Sequence, residues 1–269
     1  MVAAARAHGD GCPKHTVKKR IRLLAAIVGV TGALAFRAGA TGWERRAPLP
    51  VSNGGFVAAA LGDRIVVAGG TTWDADTKRW IDRLWSYDPV ADRWSEAGRL
   101  PAALAYPASA QVGDALWWAG GSSGNASHRQ LWTLGPDLTP RLVSRLAEGF
   151  VYAAAAVVGL ELHVVGGTDD QAALDRVSRR FRSINLKTGH LTELPPYPEP
   201  GFTTGTAVAA GARVLVFGGA RWDATARTVV NHAAAHGYDP RTRQWSALPP
   251  LPRPNRGLTA LTLDPRRVY

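Results

Sequence analysis

Tyr106, Tyr152 and Thr204 recur in this chain about one repeat apart, with Asn53 before them and Asn255-Arg256 after. Phenols, amides, a hydroxyl and a guanidinium brought to one point could stack on and hydrogen-bond a polar ring such as a sugar. Asn53, Tyr106, Tyr152, Thr204 and Arg256 read as the same position in successive repeats. The other reading of the tyrosines is structural: they would cap an axis and pack on the next repeat. Arginines gather in a second set of segments, at Arg79, Arg129, Arg179, Arg180, Arg182, Arg221 and Arg227. Guanidinium groups clamp carboxylates in bidentate fashion, which suits an acidic ligand. Loop arginines are also ordinary solvated charges. Arg227 and Asn255 complete the candidate binding set, and no catalytic residue is identified.

Metal chemistry is not expected, nor any other cofactor. Asp169-Asp170 with Asp175 has no calcium-loop spacing and reads as solvated loop. His232 and His236 stand four apart, which suits a metal on a helix. They fall in a strand-like stretch, where four residues span about 13 Å. The single cysteine, Cys12, precedes the apolar run Leu23–Phe36. Residues 41–269 therefore have no disulfide, thiolate metal site or cysteine nucleophile. Asn125-Ala126-Ser127 fits a glycosylation sequon, a short pattern of little weight alone.

The elements that must position these groups are written four times. Ile65–Gly70, Leu116–Gly121, Leu162–Gly167 and Val214–Gly219 are apolar runs ending in paired glycines. Their first glycines fall at 69, 120, 166 and 218. Tyr87-Asp88-Pro89 is followed by Trp94 and Tyr238-Asp239-Pro240 by Trp245, so both aromatic pairs are 7 apart. Leu134 with Arg141, and Ile184 with Leu191, hold these positions in the second and third repeats. A glycine pair followed by an aromatic pair at this period is the kelch form of a β-propeller.

The reading is all-β: a kelch propeller of four complete four-stranded blades plus a partial fifth, with almost no helix. Sheets are expected at residues 55–101, 104–146, 152–198 and 204–252. Inner strands rich in small residues lie near the channel, at Gly55–Ala60, Pro107–Val112, Tyr152–Val158 and Thr204–Ala210. Trp43 to Pro50 repeats the spacing of Trp94–Pro101, Leu191–Pro198 and Trp245–Pro252. Trp43–Leu49 is thus expected as an orphan outer strand, beside Gly257–Leu263 if the ring closes and unpaired if it stays open. Pro254–Leu263 reads as the inner strand of the fifth blade and Asp264–Tyr269 as the start of its second, so the expectation is a truncated reading of a longer chain.

Residues 1–40 differ in kind. A basic cluster, Lys14 to Arg22, precedes the apolar run Leu23–Phe36 and the small-x-small site Ala38-Gly39-Ala40. This is the layout of a secretory signal peptide, and the run is short for the ~20 residues that a membrane span needs. A secreted or periplasmic product is expected, free of membrane once cleaved. The formal net charge is +11, and residues 1–40 hold seven Lys/Arg and one Asp, so +5 remains for residues 41–269. That balance, with no basic stripe, does not point to nucleic acid.

On the glycine pairs, the Tyr-Asp-Pro and Trp-to-Pro spacings, the leader and openings such as Pro254-Asn255-Arg256-Gly257, the chain resembles the N-acetylneuraminate epimerase (sialic acid mutarotase) family. The resemblance covers Trp43 to Tyr269. It implies a six-bladed exported isomerase acting on an acidic sugar, with a glutamate just after a blade's glycine and an arginine further along that loop. Thr71, Ser122, Thr168 and Ala220 follow the glycine pairs here, and only Arg227 sits at a comparable arginine position. The fragment is therefore expected to be inactive. Galactose oxidase, another kelch enzyme, needs a cysteine cross-linked to tyrosine, which residues 41–269 lack. The alternative to a sugar-handling isomerase is a non-catalytic propeller that binds a protein or a glycan.

Overall fold

The structure, a computed structural model, describes residues 43–264 and 267–269. The basic cluster, the apolar run and the expected cleavage site lie outside the described residues. Arg45–Tyr269 is a compact unit of four four-stranded antiparallel sheets. The first blade pairs Val57–Leu61, Arg64–Ala68, Arg83–Asp88 and Arg93–Arg99 in that order. The second uses Ala108–Val112, Ala115–Ala119, Gln130–Leu134 and Pro140–Arg145. The third uses Ala154–Val158, Glu161–Val165, Phe181–Asn185 and Leu191–Leu194. The fourth uses Thr206–Ala210, Arg213–Phe217, Ala235–Asp239 and Gln244–Ala247. One 3₁₀ turn, Leu174–Arg176, is the sole helical element among the described residues.

Aromatic spacing becomes cross-strand pairing. Tyr87 lies opposite Trp94, Ile184 opposite Leu191 and Tyr238 opposite Trp245. The second blade departs from expectation: Leu134 faces Pro140, and Arg141 faces Thr133. Its connection is one residue shorter, and a bulge between Leu142 and Ser144 absorbs the slip.

Blades stack by burying the second strand of one against the inner half of the one before. Leu116, Trp118 and Leu134 join the first blade's Val57, Ala59, Val66 and Leu84. Leu162, Val164 and Ile184 repeat this against the second blade, and Val214, Val216 and Tyr238 against the third. The matching position in the first blade, Ile65, is 43% exposed, against 1% for Leu116 and 0% for Leu162 and Val214.

The glycine pairs set the blade spacing. The second glycine's amide donates to the next blade: Gly70 to Leu104, Gly121 to Phe150 and Gly167 to Phe202, each 2.7 Å, and Gly219 to Asn255 at 2.8 Å. A Cβ on Gly120 (φ +71) would lie 2.5 Å from the Phe150 backbone. Only glycine satisfies both the left-handed φ and that approach.

Two expectations are corrected. Trp43–Leu49 is not a strand; Ala47 instead accepts from the Trp94 indole at 3.0 Å and donates to Asp92 at 2.8 Å. The fifth-blade strand expected over Pro254–Leu263 begins only at Thr262, where Thr262–Asp264 pairs with Arg267–Val268.

Candidate functional site

Where the inner strands begin, one residue per blade bonds to its equivalent in the blade before. Tyr106 N–H donates to Gly55 C=O at 2.8 Å, Tyr152 to Tyr106 at 3.0 Å, Thr204 to Tyr152 at 2.9 Å and Gly257 to Thr204 at 2.8 Å. All five residues hold positive φ, from 52° at Thr204 to 70° at Gly55. This backbone spiral brings Tyr106, Tyr152 and Thr204 to one place at the head of the inner strands.

The spiral also corrects the register of two candidates. Asn53 matches Leu104, Phe150, Phe202 and Asn255, two residues before the spiral, and Arg256 lies one residue before Gly257. Alignment on polar side chains slid these positions, whereas backbone hydrogen bonds count residues. Asn53 is structural: its amide donates to Gly69 C=O at 2.8 Å, and its Oδ1 occupies the space a Cβ on Gly70 would need.

The two tyrosines touch. Their ring centroids are 4.6 Å apart with planes tilted by 46°, within the separation over which aromatic pairs attract. Tyr106 Oη meets Thr71 Oγ1 at 3.1 Å. Burial, and secondarily the neighbouring Tyr106, pushes the Tyr152 phenol up to about 12, so it stays protonated and can donate at neutral pH. Thr204 turns its hydroxyl back to the Thr203 carbonyl at 2.8 Å. Asn255 and Arg256 are exposed, and Asn255 Oδ1 accepts from the Arg256 amide at 2.9 Å. Arg227 is exposed in the turn of the ribbon formed by Ala220–Asp223 and Thr228–Asn231. It makes no hydrogen bond or ion pair with the tyrosines.

Lys78 is the group that sequence reasoning missed. Its ammonium lies 4.9 Å from the Tyr106 ring centroid and 5.1 Å from that of Trp80. A second ribbon, Thr71–Asp74 with Thr77–Trp80, carries it. Lys78 and Trp80 share a ribbon face because strand side chains alternate. That period-2 signal was available once the segment after Gly70 was read as a ribbon rather than a loop.

The arginine set is largely engaged within the protein. Arg79 pairs with Asp74 at 2.9 Å and Arg221 with Glu199 at 3.0 Å. Arg180 and Arg182 share Glu148, each at 2.8 Å. An acidic ligand would have to displace these carboxylates. Lys78 has no such acidic partner among the described residues.

Below the spiral, the channel holds a cavity of about 690 Å³. Its walls are inner-strand residues such as Ala58, Ala110, Ala155 and Ala207, and no titratable side chain lines it. The residues after the glycine pairs offer no acid–base group either: Gly54 bridges to Thr71, Ala105 to Ser122, Val151 to Thr168 and Thr203 to Ala220. A trough of about 530 Å³ lies between the loops of the second and third blades, lined by Asn125, Arg129, Asp169, Asp170 and Arg176. Ser122 Oγ donates to the Gln171 side chain at 2.7 Å, which ties the two loops together. No group of three potential metal ligands occurs among the described residues.

Known proteins agree with this architecture. Residues 53–101 match the Kelch motif. The chain is 27% identical over 213 residues to Kelch-like protein 25 of Homo sapiens, covering 76% of this chain and 34% of that protein. It is 26% identical over 230 residues to Kelch-like protein terF of Aspergillus terreus, covering 77% of this chain and 47% of that one. The chain thus spans between a third and a half of these curated relatives. The solved structure titled "Structure of YjhT" superposes with a TM-score of 0.72 at 12% identity, over 83% of this chain and 78% of that one. Four repeated blades, the motif match and this likeness together make the fold that of a kelch β-propeller.

Proposed function

We propose that this chain is an exported protein that binds an acidic sugar or glycan at the mouth of its propeller channel, and that the residues there bind without catalysing. The carrying observation is the tyrosine pair at the axis, with the Lys78 ammonium 4.9 Å from Tyr106. Aromatic faces suit the C–H faces of a sugar, the Tyr152 phenol supplies a donor, and Lys78 supplies the counter-charge for a carboxylate. Proton transfer at an anomeric centre needs a positioned acid or base. The channel and the residues after the glycine pairs supply none.

Saturation-transfer NMR with N-acetylneuraminate tests the reading on the purified protein. Transfer to the sugar is expected, weakened in Lys78→Gln and in Tyr152→Ala, with no acceleration of anomer exchange. Absent transfer would refute the binding, and accelerated exchange would refute the non-catalytic part. A protein partner is the second reading. The trough favours it, because Arg129, Asp169 and Arg176 are exposed there and Arg129 has no acidic partner among the described residues.

A further inference from the structure

Between the third and fourth blades lies a buried polar cluster that the channel mouth does not use. His232 is 7% exposed, His236 9% and Tyr197 0%. His236 Nδ1 and Tyr197 Oη are 3.1 Å apart. Arg221 from the ribbon meets Glu199 from the connection between the blades at 3.0 Å. Neither ring nitrogen of His232 has a hydrogen-bond partner, and neither does Arg221 Nε. The His232 ring stands edge-on to Phe202, centroids 5.7 Å apart.

His232 also sits at a joint. Its amide donates to Gly219 C=O at 2.9 Å, and its carbonyl accepts from Asn255 N–H at 3.3 Å. Gly219 N–H donates in turn to Asn255 C=O at 2.8 Å. The ribbon Ala220–Asn231 begins and ends at this joint, and the segment leading to the last hairpin is tied to it.

We propose that His232 is an acid-sensitive latch, whose protonation parts the ribbon Ala220–Asn231 and the segment at Asn255 from Phe202, whose carbonyl accepts from Gly167 of the third blade. The charged groups around it are Arg221 on the ribbon, His236 on the fourth blade's third strand and Glu199 on the connecting segment. A proton on His232 would add a second cation beside Arg221 and leave Glu199, already engaged by Arg221, as the sole compensating charge of the three. Burial first and Arg221 second hold the imidazole down to about 4. Because the folded value is depressed, the stabilisation is complete above the unfolded value of about 6.5 and is lost as pH falls from there toward 4. His163 and His236 are depressed in the same direction, so the latch must be identified by where the opening occurs.

Amide hydrogen exchange on the purified full chain, corrected for intrinsic rates, provides the test. Between pH 7 and pH 5, exchange at residues 220–232 and 255–258 should accelerate about tenfold or more relative to residues 108–119. The His232→Phe variant should lose that local acceleration and keep the rest of the acid response. The imidazole of His232 should titrate well below 6 by NMR in the unaltered protein, a readout that survives if the variant fails to fold. Titration at 6.5 or above, acceleration spread evenly over the blades, or unchanged acceleration in the variant would overturn the latch.

Discussion

The indole of Trp94 donates to the carbonyl of Ala47 at 3.0 Å, as Trp245 does to Pro195 at 2.9 Å. Ala47 lies four residues after Trp43, and Pro195 four residues after Leu191. Pro195 belongs to the segment that leaves the third blade, so Ala47 occupies, toward the first blade, the place of a preceding blade's departing segment. The shared spacing to a closing proline therefore has a physical counterpart, although Trp43–Leu49 forms no strand.

Acid should release that segment. Asp92 is held below the usual carboxylate value first by the Ala47 amide and then by the Tyr87 hydroxyl. A depressed carboxylate contributes stability above its unfolded value, near 3.8, and loses it as pH falls through the folded value. The Trp94 indole N–H resonance should shift sharply below pH 3.8, before the blade unfolds. An indole shift that tracks global unfolding would refute the local release.

Two glycines of the second blade, Gly120 of its glycine pair and Gly113 of a turn, should respond very differently to one methyl group. Gly120→Ala places a Cβ 2.5 Å from the Phe150 backbone and should cost about 3 kcal/mol or more, strain and overpacking together. Gly113→Ala meets nothing within 4 Å and should cost only the left-handed φ, about 1 kcal/mol. Denaturant unfolding of both variants measures the difference, and equal losses would contradict the spacing role of the glycine pair.

Much of this was legible in the sequence. The glycine pairs and aromatic intervals fix backbone register, because a strand pairs residue against residue; Tyr87–Trp94 and Tyr238–Trp245 became cross-strand partners. In the second blade the sequence spacing points one residue too far, to Arg141, because a shorter turn and a bulge leave no compositional mark. The site was less legible. Asn53 and Arg256 were aligned by chemistry, while the true equivalence runs through main-chain bonds that any residue can make. Lys78 leaves no mark in the sequence because the aromatic rings it meets, Tyr106 and Trp80, belong to two different blades.

The proposed export makes a prediction at the residues outside the described structure. Mass spectrometry of the exported product should find a mature N-terminus near Thr41, since Ala38 and Ala40 satisfy the small-residue cleavage rule. A mature chain that retains Leu23–Phe36 would instead favour a membrane anchor.

The spiral predicts that two threonines of one blade respond in opposite directions to glycine. Thr204 holds φ +52, a conformation that a β-branched residue adopts only under strain. Its equivalents Gly55 and Gly257 show what the position tolerates without strain. Thr204→Gly removes about 2 kcal/mol of strain and gives back up to about 1 kcal/mol through the freer unfolded chain, a net gain near 1 kcal/mol. Thr206, two residues on, is in the inner strand opposite Phe217. Thr206→Gly has no strain to relieve and should lose about 1 kcal/mol. Thermal unfolding should therefore place Thr204→Gly above the unaltered protein and Thr206→Gly below it. A fall in both would mean that the spiral imposes no strain at Thr204.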